Sequence, residues 1–414
     1  MFCMDANDRE YNGSVAECEE TMDKLIYLDN AATTKVAPEV VKEMLPYLEE
    51  SYGNPSAFYG FAAKTGQKVD QARQVIALAI GARAEEIYFT AGGSESDNWA
   101  LVATAEAHEN KGKHIITSAI EHHAILHTCE YLEKRGFEVT YVGVDEDGVV
   151  KLDELKAAIR PDTILISIMA ANNEIGSIQP LKEIGAIAKE NKILFHTDAV
   201  QAFGHIPLNV DELNIDMLSA SGHKVHGPKG IGVMYIRRGV KIGAFMHGGA
   251  QERRRRAGTH NVPGIIGMGK AVELAVANME ESGKKISELR DYLIERMMAE
   301  IPYCKLNGHK TNRLPNNANF SFSFIEGESL LIMLDQAGIC ASSGSACTSG
   351  SLDPSHVLMA IGLPHEIAHG SLRLTLSDET TREELDYTVD TLKGIVKRLR
   401  DMSPLYEDFL RKQN

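Results

Sequence analysis

No run of about 18 apolar residues occurs in this chain, so no stretch of it reads as a membrane-spanning helix. Among the six cysteines (Cys3, Cys18, Cys129, Cys304, Cys340 and Cys347) there is no CxxC pair. Thiols scattered through so long a chain suggest a reducing, cytoplasmic setting rather than a disulfide framework. Basic charge is also scarce. A net charge of −15 argues against a general nucleic-acid or anionic-membrane binder. The local exception, Arg253–Arg256, reads as a solvated basic face, with a dimer-surface or substrate-entrance feature, or docking of an acidic partner or an RNA, as the rival readings. The first 24 residues lack the basic start and apolar stretch of a secretory signal and are too acidic for a typical transit peptide. Residues 1–24 are therefore expected to form a flexible acidic tail. Internal repeats and low-complexity tracts are absent, and His108, His114, His127 and His226 show no ligand-like spacing, so no resident metal is expected.

What is present is an ordinary apolar share of 43% and 414 residues, enough for about two domains. Strand-like runs at 86–90, 113–118, 137–142, 163–169 and 192–198 alternate with helical spacing at 94–109, 122–134, 153–160 and 181–190. That alternation predicts an α/β fold with a mostly parallel sheet covered by helices. A helical stretch from Pro263 towards Glu300 is expected to break at Glu281–Lys285. Beyond it lies a smaller α+β region with strand-like 317–324 and 370–376. The expected organisation is a large domain over 25–280 and a small one over 281–414, with the segment near 25–45 packing on the latter.

In sheets of this kind ligands gather at the carboxyl ends of strands, so residues there are the candidates. "FTAGGSESDNWAL" (from Phe89) places a Gly-Gly turn before a helix start at Ser94, with Glu95 and Asp97 in its first turn. Close backbone approach and free N–H groups suit a phosphate, although an ordinary capped helix is the simpler reading of this stretch alone. "HTDAVQAFG" (from His196) puts Asp198 at a strand end, where a buried carboxylate needs a partner; a pyridinium N–H, an arginine or a metal would serve. Lys224, set in "SASGHKVHGPKGIG" among small residues, is placed to form an imine with a carbonyl. Imine lysine, ring carboxylate and phosphate cradle together describe a pyridoxal phosphate site. Cys347, in "ASSGSACTSGSLDPSHVL", has almost nothing apolar to pack against, which invites a chemical role for its thiol. Cys340, in "AGIC", reads as core.

These blocks, with "YLDNAATTKVAPEV", "YGNPSAFYG", "EHHAI", "NNEIG", "RRAGTHN" and "GSLRLTLSDETT", resemble the class V aminotransferase family and, within it, the cysteine desulfurases of the NifS/IscS type. The resemblance spans residues 25 to about 400. It implies the fold type I architecture of pyridoxal phosphate-dependent transferases and release of L-alanine from L-cysteine, with a persulfide left on Cys347. By position, Lys224 would hold the cofactor covalently, and Asp198 would pair with the ring nitrogen. His122 would stack on the ring, with His123 a competing assignment. Asn173 and Gln201 would address the ring hydroxyl and the substrate side. Gly93, Ser94, Ser221, Gly222 and His223 would frame the phosphate, and Thr259 would reach it from the second subunit of a homodimer. Arg373 would clamp the substrate carboxylate, with Asn30 and Asn54 near the substrate. An iron–sulfur scaffold protein or another sulfur acceptor, including tRNA thiolation, is the implied destination, with Cys347 a transient ligand to a 2Fe–2S cluster shared with the scaffold. Selenocysteine lyase, or another pyridoxal enzyme of this fold, is the alternative; a catalytically silent scaffold is a third reading. The chain departs from the family pattern at Ala250 and Arg254, where glycine is expected, and at His260, where glutamate is common.

Overall fold

The polypeptide enters the fold through a two-residue strand, β1 (Ile26–Tyr27), and then builds a seven-stranded sheet. Its strands are β2 (Ile87–Thr90), β3 (His114–Ser118), β4 (Glu138–Val142), β5 (Thr163–Ser167), β6 (Leu194–Asp198), β7 (Met217–Ser221) and β8 (Gly232–Ile236). The structure is a computed structural model that describes residues 25–343 and 354–413. Cys3 and Cys18 in the tail, and Cys347, lie outside the described residues. Strand order is β2-β8-β7-β6-β5-β3-β4, and β8 alone runs against the other six.

Alternation along the strands sorts side chains onto two faces. Ile116, Ile166, Leu218 and Val233 pack in one apolar cluster, which takes in Ile184 and Ile187 of the helix Leu181–Glu190. Their neighbours Ile115, Leu165, Met217 and Met234 pack in another, under Trp99 and Leu101 of the helix Gly93–His108 and Ile125 of the helix His123–Glu133. Covered on both faces, β3 and β5 are buried at every residue, the polar ones included. On the second face the residues turn polar toward the carboxyl ends: Leu165 gives way to Ser167, Leu194 to His196 and Asp198, and Met217 to Ser219 and Ser221.

A smaller antiparallel sheet, ordered β12-β10-β9, follows from β9 (Cys304–Asn307), β10 (Asn317–Phe322) and β12 (Ser371–Thr375). β1 pairs in parallel with β11 (Ile339–Cys340), and Ile26 and Leu28 join the cluster of Phe320, Leu334 and Leu374. Val40, by contrast, packs in the larger cluster. Cys340 is half-buried on β11 rather than deep in the core. The expected break at Glu281–Lys285 does not occur, because one helix runs unbroken from Val262 to Glu300. No proline interrupts that stretch, and Gly283, whose modest helix penalty is about 1 kcal/mol, is outweighed by packing at both ends. Ile265 and Met268 serve the larger cluster, while Leu293 and Met297 serve the smaller one.

The arginine run is exposed at Arg253 and Arg254, as a solvated face would be, and half-buried at Arg255 and Arg256, but Arg253 and Arg256 also make specific contacts. Arg253 lies 4.2 Å over the Tyr88 ring and donates to Ile87 O, and Arg256 donates to Glu95 at 2.8 and 3.0 Å. Arg254 is exposed and sits at φ 65°, the left-handed region in which the glycine expected there would be unstrained. Ala250, at φ −84°, needs no glycine. Between them, buried Glu252 accepts two bonds from Arg73 at 2.7 Å, one from the Phe89 backbone at 2.9 Å, and faces His260 Nε2 at 2.8 Å. Burial pushes the Glu252 carboxyl up, but the bonds from Arg73 and His260 more than compensate and hold it at about 2. A glutamate at position 260 would set two carboxylates against each other, so His260 fits this particular environment. The Glu252→Ala variant is expected to lose about 3–5 kcal/mol in denaturant unfolding, since Arg73 would be left buried and unpaired.

Candidate active site

β2, β6 and β7 point the same way, so the segments that leave them meet at one edge of the sheet. After β2 the chain turns through Ala91 and Gly92 into the helix that begins at Gly93. A Cβ on Gly93 would lie 2.5 Å from Val200 Cγ2, so only glycine lets this helix start approach the segment after β6. The Glu95 carboxylate accepts from Ala91 N at 2.7 Å and is itself held by Arg256, which stiffens the turn. The resulting cavity is lined by Gly92, Gly93, Ser94, Ser221, His223 and Lys229. Helix-start amides, hydroxyls and a lysine are a donor set for a phosphate group.

β7 ends at Ser221, and a single 3₁₀ turn, Gly222–Lys224, presents the lysine. A Cβ on Gly222 would crowd Ile231 Cγ2 at 2.9 Å and Pro228 O at 3.0 Å, so glycine is required for this turn to close on the loop that follows. Lys224 Nζ donates to the carbonyls of Ala31 (2.6 Å) and Ala32 (2.8 Å), and Gln201 Nε2 donates to the same Ala31 carbonyl at 3.0 Å. His205 reaches the same turn from outside, with its Nε2 2.9 Å from the Lys224 carbonyl oxygen. His223 Nδ1 stands 3.2 Å from Thr33 Oγ1; burial, then the charges of Lys224 and Lys229, hold its imidazole down at about 4.

Asp198 closes β6, buried, with Oδ1 accepting from Val200 N at 2.9 Å. Burial pushes its carboxyl up to about 6, against the opposing pull of that bond and of the Lys224 charge. His122 caps the helix His123–Glu133, its Nδ1 accepting from Ala124 N at 3.1 Å, which leaves the proton of the neutral ring on Nε2. Burial, followed by the Lys224 charge, holds His122 down at about 4. Its neighbour turns elsewhere: the His123 ring stacks near His127 at 5.0 Å and His356 at 4.9 Å. Of the two histidines, His122 is the one whose protonation the Lys224 charge opposes.

Across the crevice, buried Arg373 on β12 donates from Nη2 to Asp29 Oδ1 at 2.9 Å and from Nη1 to the Asn173 carbonyl at 3.0 Å. Its buried Nε has no hydrogen-bond partner among the described residues. Asn30 Nδ2 is committed to Thr375 O at 2.8 Å, tying the first loop to β12, and Asn54 is exposed, its Oδ1 bonded to Ser56 N at 3.0 Å. Thr259 is exposed and does not line the cavity of its own chain. Three buried groups under the crevice are not among the residues that sequence reasoning singles out for the site: Asp97, His196 and Glu121. Strand parity is the available signal for His196, which shares a face with Asp198. For Asp97 it is the run of small and apolar residues Trp99–Ala105 on the same helix.

Amine, buried carboxylate, imidazole and phosphate-type cradle fit pyridoxal phosphate by the chemistry of the donor set. The class V aminotransferase family model matches residues 26–388. A cysteine desulfurase IscS of Methanosarcina thermophila is 59% identical over 396 residues, covering 95% of this chain and 98% of that protein. The IscS of Dictyoglomus turgidum is 55% identical over 388 residues, covering 94% and 98%. A solved NifS-like protein superposes with a TM-score of 0.86 at 42% identity, covering 91% of this chain and 100% of that one. A structure of SspA in complex with cysteine follows at 0.77 and 39%, covering 86% and 100%. The chain belongs to the class V aminotransferase family, within its cysteine desulfurases of the NifS/IscS type.

Proposed function

We propose that the protein is a pyridoxal phosphate-dependent cysteine desulfurase that takes sulfur from L-cysteine, leaves L-alanine, and carries the sulfur on Cys347 to an acceptor for iron–sulfur cluster assembly. The observation that carries this reading is the convergence of Lys224, Asp198 and His122 at one sheet edge beside the phosphate-type cavity. When bound, the cofactor supplies an electron sink for carbanion chemistry.

The residues divide the remaining work. Gly93, Ser94, Ser221, Gly222 and His223 hold the phosphate, Asp198 holds the ring N–H, and Gln201 and Asn173 border the ring and substrate. The carbonyls of Ala31 and Ala32 orient the Lys224 amine, which attaches the cofactor. Arg373 is already aimed by Asp29 and Asn173 O, and its Nε, unpartnered among the described residues, offers a further donor to the substrate carboxylate. His122, neutral near pH 7, moves a proton at Nε2. Sulfur leaves when the Cys347 thiolate attacks the substrate sulfur: an S–S bond forms, the C–S bond breaks, and its electron pair stays on carbon and takes up a proton. Because Thr259 is exposed and away from its own cavity, we read a homodimer in which it serves the neighbouring site. The relative solved with cysteine supports a cysteine substrate over selenocysteine.

Three measurements test this reading. Mass spectrometry after L-cysteine treatment should find one added sulfur atom on Cys347, and the Cys347→Ala variant should keep the cofactor's visible absorbance while losing alanine formation. The Lys224→Ala variant should lose the wild-type visible band, and a retained band would contradict its assignment. A third expectation comes from His122. Its folded ring binds a proton only near pH 4, against 6.5 ordinarily, so the unfolded chain binds more protons between these values and stability falls as pH drops through them. The His122→Gln variant should therefore lose less thermal stability than wild type between pH 6.5 and 4.5.

A further inference from the structure

A band of polar side chains lies inside the sheet face just beneath the proposed ring site. His196 and Asp198 share that face of β6, and Ser219 of β7 is in register with Asp198. His196 Nδ1 lies 2.8 Å from Ser167 Oγ, and its Nε2 lies 3.0 Å from Ser219 Oγ and 3.8 Å from Asp97 Oδ1. Asp97 covers this band from the helix Gly93–His108, is 1% exposed, and its Oδ1 has no hydrogen-bond partner among the described residues. We propose that Asp97 is a positioning residue: of two buried carboxyls it is the one that holds a proton, so that Asp198 stays ionised and aimed at the ring nitrogen.

The inference rests on the reading of Asp198 as the ring-nitrogen partner, and it follows from which groups face each carboxyl. Asp198 has the Val200 N–H and the Lys224 charge to support an anion. Asp97 has the Ser219 hydroxyl, and its other titratable neighbours are Asp198, Glu121 and His196. Two of these are acids. Burial holds His196 down at about 3, so it is uncharged at neutral pH and cannot balance a carboxylate. Glu121, fully buried and pushed up to about 8 by burial, supplies no cation either. An unpaired buried charge is too costly to persist, so the proton sits on Asp97, whose carboxyl burial and the Asp198 charge both push up. A neutral acid keeps water out from behind Asp198 without competing for its negative charge. The same helix supplies Gly93 and Ser94 to the phosphate cavity, so one rigid element sets the spacing between the phosphate end and the ring-nitrogen end.

The test uses full-length holoenzyme and two readouts besides turnover: the pH midpoint of the cofactor's visible band, and cofactor affinity measured by equilibrium dialysis. The Asp97→Asn variant, a neutral isostere, should leave the midpoint in place and affinity within about threefold of wild type. The Asp97→Ala variant should move the midpoint by about one unit and weaken cofactor binding about tenfold; Asp97→Ser replaces it if the alanine variant does not fold. A one-unit shift in Asp97→Asn would mean that Asp97 is normally charged and overturns the proposal. So would an unmoved midpoint in the alanine or serine variant, which is the result expected of a residue that merely fills space. Asp198→Asn separates the two readings: if it alters neither readout, the assignment of Asp198 fails, and if it alters both while the smaller Asp97 variants alter neither, only the role of Asp97 fails.

Discussion

A carboxylate buried at the end of β6 governs the layout of this protein. Asp198 is almost without solvent, and an ionised acid in such a place requires partners that water would otherwise supply. The backbone of Val200 gives one, and the charge of Lys224 gives another from the end of the neighbouring strand. Because β6 and β7 are parallel and adjacent, their carboxyl ends deliver both groups to the same side without a long loop. The apolar-to-polar change along β5, β6 and β7 follows from that need. The amino-terminal part of each strand feeds the core under Trp99 and Leu101, and the last residues feed the site.

The second constraint is mechanical. The phosphate-type cavity depends on the turn after β2, and that turn is held from outside by Glu95, Arg256, Glu252 and Arg73. The unusual residues in and beside the arginine run have local reasons, with one exception. Ala250 needs no glycine, His260 complements Glu252, and Arg256 braces the helix start. Glu252, Arg253 and Arg254 all take left-handed backbone. Glu252 and Arg253 have the contacts with Arg73, Phe89, Tyr88 and Ile87 to hold them there, whereas nothing in the structure explains Arg254.

Much of the fold is legible in the residues alone. The strand and helix periods of residues 86–198 match β2 to β6 and the helices between them within one to two residues, because short β-branched and aromatic runs alternate there with stretches of helical spacing. The unbroken helix Val262–Glu300 is not legible in this way, since Gly283 looks like a stop when its flanks are read locally. It continues because its two halves are buried in two different clusters. The arginine run misleads for a similar reason. Four adjacent cations suggest solvent, and Arg253 and Arg254 are exposed; the contacts to Tyr88, Ile87 and Glu95, which arrive from more than 150 positions away, are what the local reading does not show.

By itself the sequence offered the candidates for the chemistry of the site: a lysine and an acid near strand ends, a glycine-opened helix start, and a thiol in a run of small residues, with the histidine added only by the family resemblance. Those are local properties, set by residue type and by spacing along one strand or turn. Tertiary structure alone decided which charges each group feels. The Lys224 charge opposes protonation of His122 rather than His123, Arg373 is pre-aimed by Asp29, and Asp97 lies against His196 and Ser219 instead of in solvent. Protonation in a low-dielectric interior depends on every neighbour within a few ångströms, and those neighbours come from elements far apart in the chain.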